Sequence, residues 1–177
     1  MATAVAGGLG AELDVLVVRK LGVPWAPEVA FGAVGPGGVI VHNRDVEAHL
    51  TAEEMADVVE GERAELDRRQ HRYRAGRPPL DLAGRTAIIV DDGLATGATA
   101  RAAVAVARGM GAERVVVAVP VGAPDAVALL RAEADEVECP LAPAAFGAVG
   151  RHYGRFPQVS DDDVVATLAR GDLGSCS

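Results

Sequence analysis

The chain has 177 residues, half of them hydrophobic, with a formal net charge of -8 and only 3% aromatic residues. That length and apolar content suffice for one domain with a real core and give no sign of a second. The acidic balance repels a phosphate backbone and the few aromatics leave little for base stacking, which argues against a nucleic-acid binder.

Elements follow in chain order. "MATAVAGGLG" (1–10) reads as the tail of a helix, lacking the basic residues of a targeting signal. "ELDVLVVRK" (12–20) is an apolar run of strand length. "LGVPWAPE" (21–28) carries two prolines, which are expected to forbid regular structure through it. Two extended pieces, near 29–34 and 38–42, flank "GPGG" and predict a hairpin. Thr51 followed by Glu54 is a capping box, predicting a helix from about Ala52 to about Tyr73, with Glu65 and Arg69 paired on its solvated face. "AGRPPLDLAG" (75–84) is a linker.

Beyond it the pattern alternates: strand 86–91, helix 98–110 closed by Gly111 at C′, strand 114–119, helix 124–133 and strand 135–139. A last helix starts after Ser160, capped with Asp163, and a flexible tail is expected from about 171. Alternation of this kind implies an α/β fold, an open mostly parallel sheet flanked by helices, in a single domain over 1–177.

The stretch "AIIVDDGLATGAT" carries the chemistry. Asp91 and Asp92 end a buried strand, where open parallel sheets bind ligands. Gly93, Ala95, Thr96, Gly97, Ala98 and Thr99 then turn the chain into a helix whose first-turn N–H groups and positive dipole end suit a phosphate dianion. Glycines allow close approach of the backbone, and the Thr96 and Thr99 hydroxyls add donors. Carboxylates would repel that phosphate, so they must serve another part of the ligand. Ribose hydroxyls are donors that a carboxylate accepts, and the whole stretch therefore describes a ribose 5-phosphate site. A nucleotide P-loop needs Lys after its second glycine, where Ala98 stands, and the dinucleotide fingerprint needs another glycine spacing.

"IIVDDGLATGAT" resembles the signature of the phosphoribosyltransferases, in which two acids end a strand and a T-G-x-T loop holds the 5′-phosphate of phosphoribosyl pyrophosphate. Weaker similarity covers "LDVLVVRKLGVPWAPEVAFGAV" and "AVGRHYGRFPQVSDDDV". The resemblance implies Mg²⁺-dependent transfer of a phosphoribosyl group to a nitrogenous acceptor, with Asp91 and Asp92 stabilising the sugar in the transition state. Arg19 and Lys20 are then candidates for the pyrophosphate, "KLGVPWAPEVAFG" with Trp25 for a mobile lid, and Tyr153 and Phe156 for stacking on the acceptor. The alternative is a non-catalytic module that senses phosphoribosyl pyrophosphate or a nucleotide. The resemblance also implies an earlier strand and a pyrophosphate loop that residues 1–12 do not supply. In-frame coding sequence upstream of Met1 is therefore expected, and a strand left unpaired invites association, a homodimer being the expected assembly.

The remaining residues are read more plainly. Cys139 and Cys176 match no metal spacing and imply a reducing, cytoplasmic setting, with Cys139 in the core. No apolar run is long enough for a bilayer, so no membrane partner is expected. His42, His49, His71 and His152 share no spacing and read as surface residues, and Phe146 as ordinary packing.

Overall fold

A computed structural model of the chain describes residues 1–74 and 76–172. Its first element, α1 (Ala2–Leu9), includes Gly7 and Gly8 and buries none of its side chains. Residues 10–18 follow without joining a ladder. The apolar run at 12–20 is thus not the strand its composition suggests. Only Arg19 and Lys20 are in a strand, β1 (Arg19–Val23), which runs on to Val23. Val15 and Leu16 are half-buried and Val17 is buried, so the run supplies core contacts rather than sheet hydrogen bonds.

The two prolines do not prevent regular structure either. β1 pairs antiparallel with β2 (Ala26–Val34), which pairs with β3 (Ile40–His42). Pro24 lies in the turn between β1 and β2, where no ladder bond is needed. Pro27 faces the irregular end of the ladder, where the register shifts on both sides of Gly22. The expected lid is therefore a β-hairpin, with Trp25 exposed at its tip.

After a short helix, α2 (Arg44–Glu47), comes the long helix α3 (Ala52–Tyr73). Its start is local chemistry: Thr51 Oγ1 accepts from the Glu54 N–H at 3.2 Å and the Glu54 carboxylate accepts from the Thr51 N–H at 2.9 Å. Leu66 is buried against Leu21, Phe31 and Val34, so α3 covers the antiparallel sheet. At its far end the buried Arg74 bonds to the Asp14 carboxylate and the Pro78 carbonyl. Arg77 adds a bond to the Leu168 carbonyl at 3.0 Å. Together these cations tie residue 14, the end of α3 and the last helix to one another.

The second half follows the expected alternation: β4 (Thr86–Val90), α4 (Ala98–Gly109), β5 (Arg114–Ala118), α5 (Pro124–Arg131) and β6 (Glu136–Glu138). The three strands are parallel in the order β4-β5-β6. The sheet is thus parallel in this half alone, and the hairpin strands form a separate antiparallel sheet. Val104, Ala107, Val115, Val117 and Leu130 fill the core between parallel sheet and helices. Helix α4 packs on strands of both sheets. The final helix α6 (Asp161–Asp172) begins where Ser160 and Asp163 bond reciprocally. The expected tail lies outside the described residues apart from 171–172, which close α6, and Cys176 lies outside them too.

The cap at α3 gives a clean test of this local reading. Thr51→Ala removes an acceptor that no neighbour replaces and should cost about 1 kcal/mol, about 2–4 °C in Tm for a chain of this size. An unchanged melting curve would mean the capping box does not stabilise the helix.

Candidate active site

Strand β4 is apolar until it ends, and the Asp91 N–H still reaches the Ala118 carbonyl at 3.3 Å, extending the ladder by one residue. There the chain turns. The Asp92 N–H donates to the Asp91 carboxylate at 2.9 Å. Two residues later Leu94 rejoins the sheet, its N–H bonded to the Val121 carbonyl at 3.0 Å and its carbonyl accepting from Ala123 at 2.8 Å. With 1% of its surface exposed, Leu94 fixes the middle of the loop.

The loop then enters α4 through Gly97, whose φ of 73° is strained for any residue with a Cβ. The Gly97 carbonyl accepts the first helical bond, from Arg101 at 2.9 Å, and the Thr96 hydroxyl accepts from the Ala98 N–H at 3.3 Å. The first turn of α4 contains no acidic residue and no side-chain cap from Gly97. Its N–H groups have no intrahelical partners, so they suit an anion. Gly93 is required for a different reason: a Cβ there would stand 2.9 Å from both the Val121 carbonyl and a Val149 methyl.

Asp91 is half-buried and Asp92 exposed. Burial pushes the Asp91 carboxyl above the ordinary aspartate range; the bond from Asp92 N–H opposes this, and the Asp92 charge adds to it. Asp91 and Thr99 line a cavity of about 280 Å³ with Val18, Val90, Arg69 and Tyr73. A larger cavity, about 420 Å³, lies between the hairpin and α3 and contains no residue of the loop. Arg19 and Lys20 line this second cavity, and the Arg19 guanidinium donates to Glu62 at 2.6 Å. The structure therefore assembles 91–99 as one unit but does not place Arg19 and Lys20 on the same cavity.

The segment after β6 folds back over the acid turn. A turn of 3-10 helix (Val149–His152) places Val149 against Gly93, and the Tyr153 hydroxyl donates to the Asp92 carbonyl. Tyr153 and Phe156 pack on each other with ring centroids 5.1 Å apart. Phe146 is buried and stacks on His152 at 5.4 Å, and His152 also bonds to the Phe146 carbonyl, so His152 is a half-buried structural residue rather than a plain surface one. His42 pairs with Glu47. Cys139 is half-buried at the edge of the core. The roles of Val149 and the Tyr153 hydroxyl were not legible in the sequence, because a bond to a backbone carbonyl imposes no motif.

Among the described residues no group of three or more His, Cys, Asp or Glu side chains could hold a metal ion, and no helix is long and apolar enough to cross a membrane. The acid pair offers hard oxygen donors from two side chains only. That set fits a magnesium ion coordinated mainly by a ligand's own oxygens and water, and no protein cage.

An acid pair and a glycine turn into a helix N-terminus stand together at the carboxyl end of a parallel strand of this α/β domain. The family model described as "Phosphoribosyl transferase domain" matches residues 9–152. A Mycobacterium tuberculosis H37Rv protein named "Putative phosphoribosyl transferase Rv0571c" is 56% identical over 168 residues, 94% of this chain, and its counterpart in strain CDC 1551 matches equally. The chain spans 38% of the length of these curated relatives. Among solved structures, the crystal structure of TT1426 from Thermus thermophilus superimposes with a TM-score of 0.88 at 44% identity, covering 95% of this chain and 80% of that one. The chain belongs to the phosphoribosyl transferase domain family.

The environment of Asp91 yields a stability test. Folding raises this carboxyl's affinity for its proton, so just above the usual aspartate range the folded state binds more protons than the unfolded chain. Stability falls as pH rises through that window, and the penalty is complete once the folded-state carboxyl has ionised. Asp91→Asn keeps an oxygen for the Asp92 N–H and removes the charge. Its Tm should exceed wild type at about pH 7, with the gap closing toward about pH 3. A variant less stable than wild type at neutral pH would contradict the burial argument.

Proposed function

We propose that this chain binds phosphoribosyl pyrophosphate and transfers its 5-phosphoribosyl group to a nitrogenous acceptor, releasing pyrophosphate. The observation that carries the proposal is the single turn joining a carboxylate pair to an anion-receptive helix start, separated by the buried anchor Leu94. The two ends of ribose 5-phosphate have opposite needs, and this turn meets both. Backbone N–H groups near 97–99 and the Thr96 and Thr99 hydroxyls take the 5′-phosphate. Asp91 and Asp92 take the sugar hydroxyls, each a donor to a carboxylate.

In that pose the carboxylates also favour the positive charge that develops on the sugar as its bond to pyrophosphate breaks. The bond from the anomeric carbon to pyrophosphate oxygen is replaced by one to the acceptor nitrogen, which loses its proton to solvent. Catalysis is then mainly positioning and electrostatics. Asp91 and Asp92 would hold a magnesium ion through its waters, and such an ion would supply neutralising charge for the leaving pyrophosphate. Gly93 leaves room for Val149 against the turn, and we assign the 146–156 segment to the acceptor side of the site.

A second reading, a module that senses phosphoribosyl pyrophosphate without turnover, draws on one observation. Arg19 is already paired with Glu62, and with Lys20 it lines the other cavity, while Arg69, which lines the cavity beside Asp91, is paired with Glu65. Pyrophosphate release in the presence of a panel of purine, pyrimidine and amine acceptors separates the two readings.

Two sets of variants test the site. Replacing Asp91 and Asp92 together by Asn should leave the chain folded and reduce turnover by about 100-fold or more. Thr96→Ala should weaken ribose 5-phosphate binding by about three- to tenfold in a calorimetric titration. Gly97→Val, strained at φ 73°, should weaken it further. Full turnover in the folded double variant would refute the sugar assignment, and unchanged titrations would refute the phosphate cradle.

A further inference from the structure

The contact between Tyr153 and the acid turn is more specific than packing. Its ring is fixed on one side by Phe156, tilted 37° at 5.1 Å. Phe156 in turn abuts Gly150, where an added Cβ would meet its ring at 3.1 Å. From that position the hydroxyl donates to the Asp92 carbonyl.

Asp92 is also held from the other side, since its N–H donates to the Asp91 carboxylate at 2.9 Å. Both backbone polar groups of Asp92 therefore have partners, and Val149 packs so close to Gly93 that a Cβ there would stand 2.9 Å from its methyl. The peptide planes that carry the two carboxylates cannot turn without breaking one of these contacts.

We infer that Tyr153 is a positioning residue: its hydroxyl locks the peptide after Asp92 and thereby aims both carboxylates at the sugar, instead of offering its ring to the acceptor. The inference rests on the acid pair being the ribose site. It separates two functions within one loop, because the clamp acts on 91–93 while Leu94, which divides them from the turn at 96–99, is held independently by Val121 and Ala123.

The test compares Tyr153→Phe, which keeps the ring and deletes the hydroxyl, with wild type. Affinity for inorganic phosphate, read by the turn at 96–99, should not change, whereas ribose 5-phosphate should bind about three- to tenfold more weakly. Tyr153→Leu should show the same selective loss together with a lower Tm. Hydrogen exchange of the unliganded protein follows the clamp alone, and the segment 91–96 should exchange faster in Tyr153→Phe. Unchanged ribose 5-phosphate affinity in Tyr153→Phe, or an equal loss for phosphate and ribose 5-phosphate, overturns the inference. Wild-type protein that fails to bind ribose 5-phosphate, with exchange still faster in Tyr153→Phe, upholds the clamp and sinks the ribose reading.

Discussion

Leu94 is the side chain on which the site depends. The chain leaves β4 with two acids that favour water and must soon start α4, whose first N–H groups lack intrahelical partners. Such a loop would ordinarily wander. Burying Leu94 between α4 and α5, with both of its backbone groups bonded to the β5–α5 connection, pins the loop at its centre. The acids are then held on one side of the pin and the helix start on the other. Full burial of a leucine is worth about 1.5–3 kcal/mol, comparable with two or three of the loop's hydrogen bonds.

That anchoring has a cost in the acid pair. Placing Asp91 half out of water beside a second carboxylate, in a chain already at net charge -8, destabilises the ionised form. The loop tolerates this because the Asp92 N–H, the parallel sheet and the Tyr153 hydroxyl hold the turn from three directions. A site that stabilises the fold less than its neutral replacement would is the expected signature of residues kept for binding.

Much of this was legible in the sequence where the determinants are local. The capping boxes at Thr51 and Ser160 and the strand-helix alternation from 86 to 138 appear where pattern and turn chemistry put them. The acid-glycine-threonine loop stands at the carboxyl end of β4 as its composition implies. What could not be read is pairing. Residues 12–18 have the hydrophobicity of a strand, but a strand exists only with a hydrogen-bonded neighbour, and hydrophobicity does not report one. Prolines 24 and 27 looked like breakers, yet one falls in a turn and the other at a register shift, the positions where a sheet tolerates them. The placement of Tyr153 and Arg19 depends on contacts with residues 61 and 43 positions away. Such contacts leave no spacing to find.

The central claim is that one turn serves phosphate and sugar at its two ends. Amide and carboxyl chemical-shift mapping with ribose 5-phosphate tests it most directly. The account predicts perturbations at the amides of 96–99 and at the Asp91 and Asp92 carboxyls, with inorganic phosphate reproducing only the first set. Perturbations centred instead on the cavity between the hairpin and α3, around Lys20, Asp57 and Gly61, would contradict it.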